Sequence, residues 1–406
     1  VILGGAALTP RFVNKDCRDV YRGQVIYGRD AFADLRFMDA YVAARDADQW
    51  DNQAGFLAGA PEGLGLEAAP AREAAGEPGA AAAGTETGAA ADVVDALSAV
   101  APADGDDPSA SATSAGPNDH RSEAVPAEPA LIPPFWGSQV FTEADIPLQE
   151  VFTYLDRNAL FAGQWQLRKA QNQSRDEYEA MLAEKAEPVL QHWMERCLKE
   201  QLLTPRVAYG YFPCGRDGNA VVVFDPNGLD PGAAPAAADP ELGRFALPRQ
   251  RAGNRYCIAD FYQDLSNGTP TDVLPMQAVT MGERATAFAQ ELFKGDQYSD
   301  YLYFHGLGVQ MAEALAEWVH ARIRRELGFA DPAGMPLRDV LAQRYRGSSY
   351  SFGYPACPNV ADSRQQLLWL GTERIGLSMD ESDQLEPEQS TTALVALHSQ
   401  ALYFSA

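Results

Sequence analysis

Tyr345-Arg346-Gly347-Ser348-Ser349-Tyr350-Ser351-Phe352-Gly353-Tyr354-Pro355-Ala356-Cys357-Pro358 is the stretch on which the reading of this chain turns. Its close punctuation by Gly and Pro predicts an ordered loop. Gly347 and Gly353 allow backbone angles and close approaches that a side chain forbids, while Pro355 and Pro358 fix φ and remove two amide donors. Two uses fit such a loop: a tight turn against the core, or a rim of free peptide groups offered to a ligand.

Upstream and downstream of this loop, from about residue 129 to the end, the chain reads as globular. Ile132-Pro133-Pro134-Phe135-Trp136-Gly137 is an apolar entry segment, and a helix is expected from about Leu148 to Leu160. Ser174 and Glu177 have capping-box spacing, opening a helix to about Leu202 that Pro188 should kink. Val207–Tyr211 and Ala220–Phe224 are strand-like runs joined through Gly215 and Gly218, which predicts a hairpin. Further strands are expected near Tyr256–Ile258 and Leu274–Thr280, then a long helix over about Ser299–Leu327 and a shorter one over Leu337–Arg344. Asp362 and Gln365 predict one more capped helix, and Ala393–Leu397 with Ala401–Ser405 a closing hairpin. Helices and antiparallel strands in blocks make this an α+β domain, covering residues 131–406.

The first fifty residues read differently. A strand (Val1–Leu3), the Gly4-Gly5 turn, a helix (about Pro10–Tyr21), a strand (Val25–Tyr27) and a helix (Ala31–Ala44) alternate as in a doubly wound parallel α/β sheet. Two strands do not complete such a sheet. With Val1 already in mid-strand, the chain is expected to be a fragment whose first domain is a remnant.

Between these blocks, residues 51–130 read as a disordered linker rich in Ala, Gly, Pro and Ser. Residues 54–130 hold thirteen acidic and two basic side chains, a balance of −11 out of the chain's −24. Almost no aromatic residues are present there, so too little apolar surface can be buried to offset the entropy of ordering, and a flexible tether of roughly 50 Å mean span is expected. Short helical turns around Ala91–Val100 are compatible with it. The acidity speaks against a nucleic-acid partner. No apolar run approaches membrane-spanning length. Five scattered cysteines without a C-x-x-C pair fit a reducing cytoplasm, and five histidines, one in the linker, speak against a zinc site in this chain.

The loop resembles the S-adenosylmethionine-binding signature of cobalamin-dependent methionine synthase reactivation domains, approximately R-x-x-x-G-Y-P-A-C-P. Gly353-Tyr354-Pro355-Ala356-Cys357-Pro358 matches its second half without change, whereas Ser349 stands where the family places arginine. Two further segments, Leu160-Phe161-Ala162-Gly163-Gln164-Trp165-Gln166 and Gln389-Ser390-Thr391-Thr392-Ala393-Leu394, read like bacterial members in the same order. By this resemblance residues 131–406 form the whole reactivation domain and residues 1–50 end the cobalamin-binding domain. The implied work is reductive repair: a flavodoxin-like donor and a methyl group from S-adenosylmethionine restore inactive cobalamin. The folate and homocysteine domains, the zinc site and the cobalt-ligating D-x-H-x-x-G histidine would lie upstream of Val1, so the fragment alone is not expected to make methionine. A docking module with a decayed ligand site is the alternative, supported by Ser349.

The same resemblance names the site. Glu313 interrupts a stripe of small and apolar residues (Leu302, Gly306, Val309, Ala316, His320) on the long helix. A carboxylate there serves either an ion pair with a nearby arginine or a polar ligand; the family points to the ligand. Asp156, near Arg157, is either a solvated helix carboxylate or the group that holds the ligand's amino end. Tyr403 and Phe404 are either core filling or ligand contacts. Ser351 and Gly353 would offer backbone groups and Tyr354 its ring, while Ser349 replaces the arginine that grips the ligand's carboxylate. Gly4, Gly5 and Ala31 would border the cobalamin's nucleotide tail. His320 reads as a packing histidine with its hydrogen bonds met. Cys357 reads as a buried structural thiol. With no triad, metal cluster or phosphate loop found, no residue is assigned a catalytic role, because the cofactors carry the reaction.

Overall fold

The computed structural model describes residues 2–4, 25–28, 31–51, 55–58, 120–170, 172–235 and 240–406. The chain divides into two compact units, Val1–Ala112 and Thr113–Ala406. In the first unit, β1 (Ile2–Gly4) pairs in parallel with β2 (Ile26–Gly28), as alternating strands and helices predict. Helix α1 (Ala31–Asp46) follows, and a short hairpin of β3 (Trp50–Asp51) and β4 (Gly55–Phe56) closes the segment. Phe37, Tyr41, Trp50 and Phe56 form an edge-to-face cluster with ring separations down to 4.9 Å, so Asp51 and residues 55–58 carry structure where a linker was expected. The expected helix over about Pro10–Tyr21, Gly5 and the turns around Ala91–Val100 lie outside the described residues.

The second unit is built on an antiparallel sheet. Its strands run in the order β10 (Ser348–Tyr350), β13 (Ser390–Ala396), β9 (Asp272–Thr280), β6 (Arg206–Asp217), β7 (Ala220–Phe224) and β8 (Glu241–Ala246), with β5 (Gly137–Phe141) also paired to β6. The hairpin read from Val207 and Ala220 is present as β6–β7. Strand β9 lies between β6 and β13 and is buried at every position, which explains its nearly unbroken apolar run.

Each sheet face has its own cover. Met276, Leu394 and Tyr350 stand opposite one another and turn into the main core, with Leu367 and Leu370 of α8 (Asp362–Leu370). Gln277 and Ala393 are opposite on the other face, and Gln277 donates to the carbonyl of Ala316 on α6 (Tyr298–Glu326). Alternation along β10 and β13 therefore puts Ser349, paired with Val395, on the α6 face. Helix α5 (Glu283–Lys294) packs against α6.

Several expectations are corrected. The helix expected over 148–160 is α2 (Leu148–Val151), a 3₁₀ turn and, after a break at Leu155, a π-helix over Ala159–Gln164. The capping box at Ser174 forms; its helix is α3 (Arg175–Met181), a π turn over Leu182–Ala186 and α4 (Glu187–Glu200). The π turn is how the ladder accommodates Pro188, which sits in the first turn of α4 without needing its missing N–H. Residues 256–258 form no strand; a 3₁₀ turn follows at Ile258–Phe261. The short helix expected over Leu337–Arg344 is α7 (Leu337–Leu341) and stops three residues early. Asp362 does not cap its helix by side chain; it accepts instead from the Asn359 side-chain amide. No closing hairpin forms, because β13 spends its edges on β9 and β10, leaving 397–406 as an arm with a turn at Ser399-Gln400 and no strand. Residues 120–130, read as the end of the linker, pack onto this unit, with Val125 only 1% exposed in the main core.

Candidate ligand site at the Gly-Tyr-Pro-Ala-Cys-Pro loop

The loop leaves β10 and folds back on itself. Gly353 N–H donates to the Cys357 carbonyl and Cys357 N–H to the Tyr354 carbonyl, each at 2.9 Å, and the Cys357 thiol donates to the Ser351 carbonyl at 2.9 Å. Gly353 has φ +96°, and a Cβ there would stand 3.1 Å from Val360 Cγ2, so only glycine fits without strain. These bonds decide what remains for a ligand. The Gly353 N–H and the Ser351 carbonyl are consumed internally, so the backbone groups these residues can offer a ligand are the Ser351 N–H and the Gly353 carbonyl.

Ser351, Phe352 and Tyr354 line a cavity of about 900 Å³. Its other walls come from Thr286 of α5, from Thr391 and Thr392 of β13, and from the hairpin of β11 (Ser378–Met379) and β12 (Leu385–Glu386). The cavity thus joins two of the segments singled out in the sequence, 353–358 and 389–394, which are far apart along the chain. A volume of this order accepts a nucleoside-sized molecule. The third segment, 160–166, packs elsewhere: Trp165 donates to the Tyr303 carbonyl, and Gly306 leaves the room that Gln164 and Trp165 take against α6.

Tyr354, 47% exposed, links the cavity to the α6 face. Its phenol is pushed up first by burial, then by the nearby Glu313 carboxylate and by Tyr403. Tyr403, 46% exposed, is itself raised by burial and by Cys357. Glu313 and Tyr403 are thus near enough to Tyr354 to influence its phenol. Phe404 turns the other way, 6% exposed, with its ring against Tyr256, Phe261 and Tyr350, so its side chain anchors the core.

Glu313 has no ion pair or hydrogen bond among the described residues. Its side chain is accessible, yet protein surrounds it closely enough that burial pushes its carboxyl up. No hydrogen bond or cation offsets this among the described residues, so the ion-pair reading finds no partner there. The stripe that holds it is a flank of α6, half buried at Leu302, Val309 and Ala316, rather than the buried centre, which runs through Leu307, Met311 and Leu315. One turn on, the Glu317 carboxyl is pushed up to about 6, chiefly by burial, while Arg324 and a hydrogen bond from Tyr345 hold it back. His320 is fully buried against the Tyr345 ring and neutral, since burial drives its pKa well down. Neither ring nitrogen has a hydrogen-bond partner among the described residues, contrary to the satisfied histidine expected.

Asp156 has a structural task of its own. Its Oδ1 accepts the N–H groups of Asn158 and Ala159 and caps the π-helix, while Arg157 pairs with Glu187. Ser349 is half buried on β10 with no cation supplied from nearby in sequence: Arg346 donates to the Leu397 carbonyl, pairs with Glu128 and covers the Phe329 ring. Cys197, Cys214, Cys257 and Cys357 are buried free thiols, and no metal-ligand cluster or membrane-length apolar helix occurs among the described residues. In the first unit, Gly4 ends β1 and Ala31 opens α1 after β2, at the carboxyl ends of the strands, where parallel α/β sheets bind ligands. Glu128 and the strap around it escaped sequence reading, because Pro126-Ala127-Glu128-Pro129 has the composition of the tract before it; buried Val125 was the available signal.

Residues 147–406 match the family model described as vitamin B12 dependent methionine synthase, activation domain. The whole chain is 37% identical to a methionine synthase of Mycobacterium tuberculosis and 36% identical to one of Mycobacterium leprae, in each case spanning 32% of the relative's length. The fold is similar to the crystal structure of the MetH reactivation domain bound to AdoHcy, with a TM-score of 0.56 and 20% identity over 68% of this chain and 83% of that one.

Proposed function

Because the chain belongs to the family of vitamin B12 dependent methionine synthase activation domains, we propose that its second unit binds S-adenosylmethionine in the cavity behind the 353–358 loop. There it would present the methyl group for reductive repair of cobalamin. The carrying observation is that the loop and the Ser390–Thr392 segment line one nucleoside-sized cavity. Reduced cobalamin supplies the nucleophile, and the sulfonium is already an activated methyl donor. What this chain contributes is binding and orientation.

The Ser351 N–H and the Gly353 carbonyl are left over by the loop's internal bonds and offer one donor and one acceptor to the ligand. Tyr354 and Tyr403 give exposed aromatic surface for a purine or a sulfonium. An unpaired Glu313 carboxylate favours a cationic ligand over a neutral one. Asp156 keeps Oδ2 for an amino group while Oδ1 caps its helix. Gly4, Gly5 and Ala31 are assigned to the cobalamin tail, and a flavodoxin-like protein is the proposed electron source. The parent activity, methionine formation from methyltetrahydrofolate and homocysteine, and a cytoplasmic setting belong to the same proposal.

The rival reading is a docking module that no longer binds the ligand, and Ser349 favours it. Calorimetric titration of the chain with S-adenosylmethionine and S-adenosylhomocysteine separates the two. Saturable binding that Tyr354→Ala weakens supports the proposal; no heat at millimolar ligand sinks it.

A further inference from the structure

Residues 120–131 precede the 147–406 family match and nothing assigns them a role. They form a strap fastened at both ends. At its start, Arg121 donates to the carbonyls of Asp260 and Tyr262, and Ser122 donates to the Asn254 carbonyl and to the Asp260 carboxylate. Asp260 is fully buried and held by the fork of Arg249 at 2.6 and 2.7 Å, so this anchor is rigid. Val125 then plugs the core.

The far end of the strap meets two other segments at one carboxylate. Glu128 pairs with Arg346 at the entrance of the signature loop, and the same carboxylate accepts the Ser399 N–H at 3.2 Å. Around this junction, Arg346 donates to the Leu397 carbonyl, His398 Nε2 meets the Pro126 carbonyl at 2.7 Å, and Gln263 donates to the Glu128 carbonyl. His398 Nδ1 accepts from Gln400 N–H, which fixes the proton on Nε2. Beyond the junction, the arm 399–406 has few fastenings: Tyr350 Oη to the Leu402 carbonyl, Gln250 to the Ser405 carbonyl, and the buried ring of Phe404. Tyr403 rides on this arm, and Tyr354 on the loop that Arg346 enters.

We infer that the strap is a clasp and that Glu128 is a positioning residue for the ligand site, setting the arm that carries Tyr403 against the loop that carries Tyr354. It touches neither ligand nor cofactor. It acts because one carboxylate ties the roots of both segments, so losing it frees the arm to pivot about Phe404. The effect on binding rests on the proposed S-adenosylmethionine site; the effect on the arm does not.

The test uses the full chain with Glu128→Ala and Glu128→Gln, each alone and with Tyr403→Ala. S-adenosylhomocysteine affinity is measured by calorimetry, and amide exchange is followed across 397–406 without ligand. A coupling of this kind corresponds to a factor of roughly 2 to 30 in dissociation constant. Glu128→Ala should weaken binding within that range, Glu128→Gln less because it keeps an acceptor for Ser399, and neither should weaken it further once Tyr403 is alanine. Exchange at 399–404 should quicken in Glu128→Ala. Equal losses with and without Tyr403, or no loss, would mean that Glu128 serves stability alone and overturn the inference. If the natural chain binds no S-adenosylhomocysteine, the ligand proposal fails, and the clasp is then judged on exchange: unchanged rates overturn it. Should Glu128→Ala not fold, Glu128→Gln carries the same comparisons.

Discussion

The thiol of Cys357 lies 2.9 Å from the carbonyl oxygen of Ser351 and donates to it, so a residue that invites a chemical role is a pin inside the loop. Burial pushes the thiol up to about 12, far from a thiolate at neutral pH. Cys357 should resist iodoacetamide at pH 8 in the folded chain, and mass spectrometry of the labelled peptide would show it. Cys357→Ser keeps a donor and should be nearly silent. Cys357→Ala strands a carbonyl in a largely buried setting and should cost about 1–3 kcal/mol of stability with weaker ligand binding. Fast labelling at pH 8 would return Cys357 to the list of reactive groups.

Glu313 and the protein's stability should pull in opposite directions. Its pKa is raised by burial and no cation among the described residues repays it. The sign follows: the carboxyl favours folding most when protonated, below its ordinary 4.5, and that advantage is lost as pH rises through the raised value. Glu313→Gln should therefore raise the thermal midpoint at pH 7.5 while weakening S-adenosylmethionine binding. A variant that loses stability and binds normally would restore the ion-pair reading.

Glu317 supplies a pH dependence of its own. Its carboxyl is raised from 4.5 to about 6, so its contribution to folding is complete below 4.5 and is lost as pH rises through about 6. Urea midpoints of the natural chain should carry a downward component across that window, and Glu317→Gln, which still accepts from Tyr345, should flatten it. Superimposable pH profiles would show that Glu317 keeps its ordinary pKa.

The difference between what the sequence disclosed and what it hid has a physical basis. The long helix, the β6–β7 hairpin and the self-bonded loop were legible because each is set by local rules: period, turn residues, and Gly and Pro restrictions. The closing hairpin was misread because Ala401–Ser405 has strand composition, while β13 finds better partners in β9 and β10 far along the chain. Phe404 and Tyr403 are adjacent and similar in sequence, yet one fills the core and the other stays open; only the arm's path decides that. The strap at 120–131 was invisible for the same reason. Its attachments are to Asp260, Arg346 and Ser399, and no local pattern announces a partner more than a hundred residues away.

Ser349 should be the residue that limits ligand affinity. Its pairing with Val395 puts it on the sheet face covered by α6, the helix that carries Glu313, whereas Tyr350 beside it turns into the core. An arginine at 349 would therefore project on the same side as Glu313. Arg346, three residues earlier, is not a substitute, since Glu128 and the Leu397 carbonyl already hold it. A hydrogen bond to a charged group contributes roughly 1.5–3 kcal/mol, or about one to two orders of magnitude in dissociation constant. Ser349→Arg should then tighten S-adenosylmethionine binding about tenfold or more. Ser349→Lys should gain less, because an ammonium gives a point charge where the guanidinium forms a two-pronged fork with a carboxylate. Calorimetry on the three proteins gives the order. Equal affinities would show that the ligand's carboxylate is held without position 349, and a gain for lysine equal to that for arginine would make the effect one of net charge and not of a directed clamp.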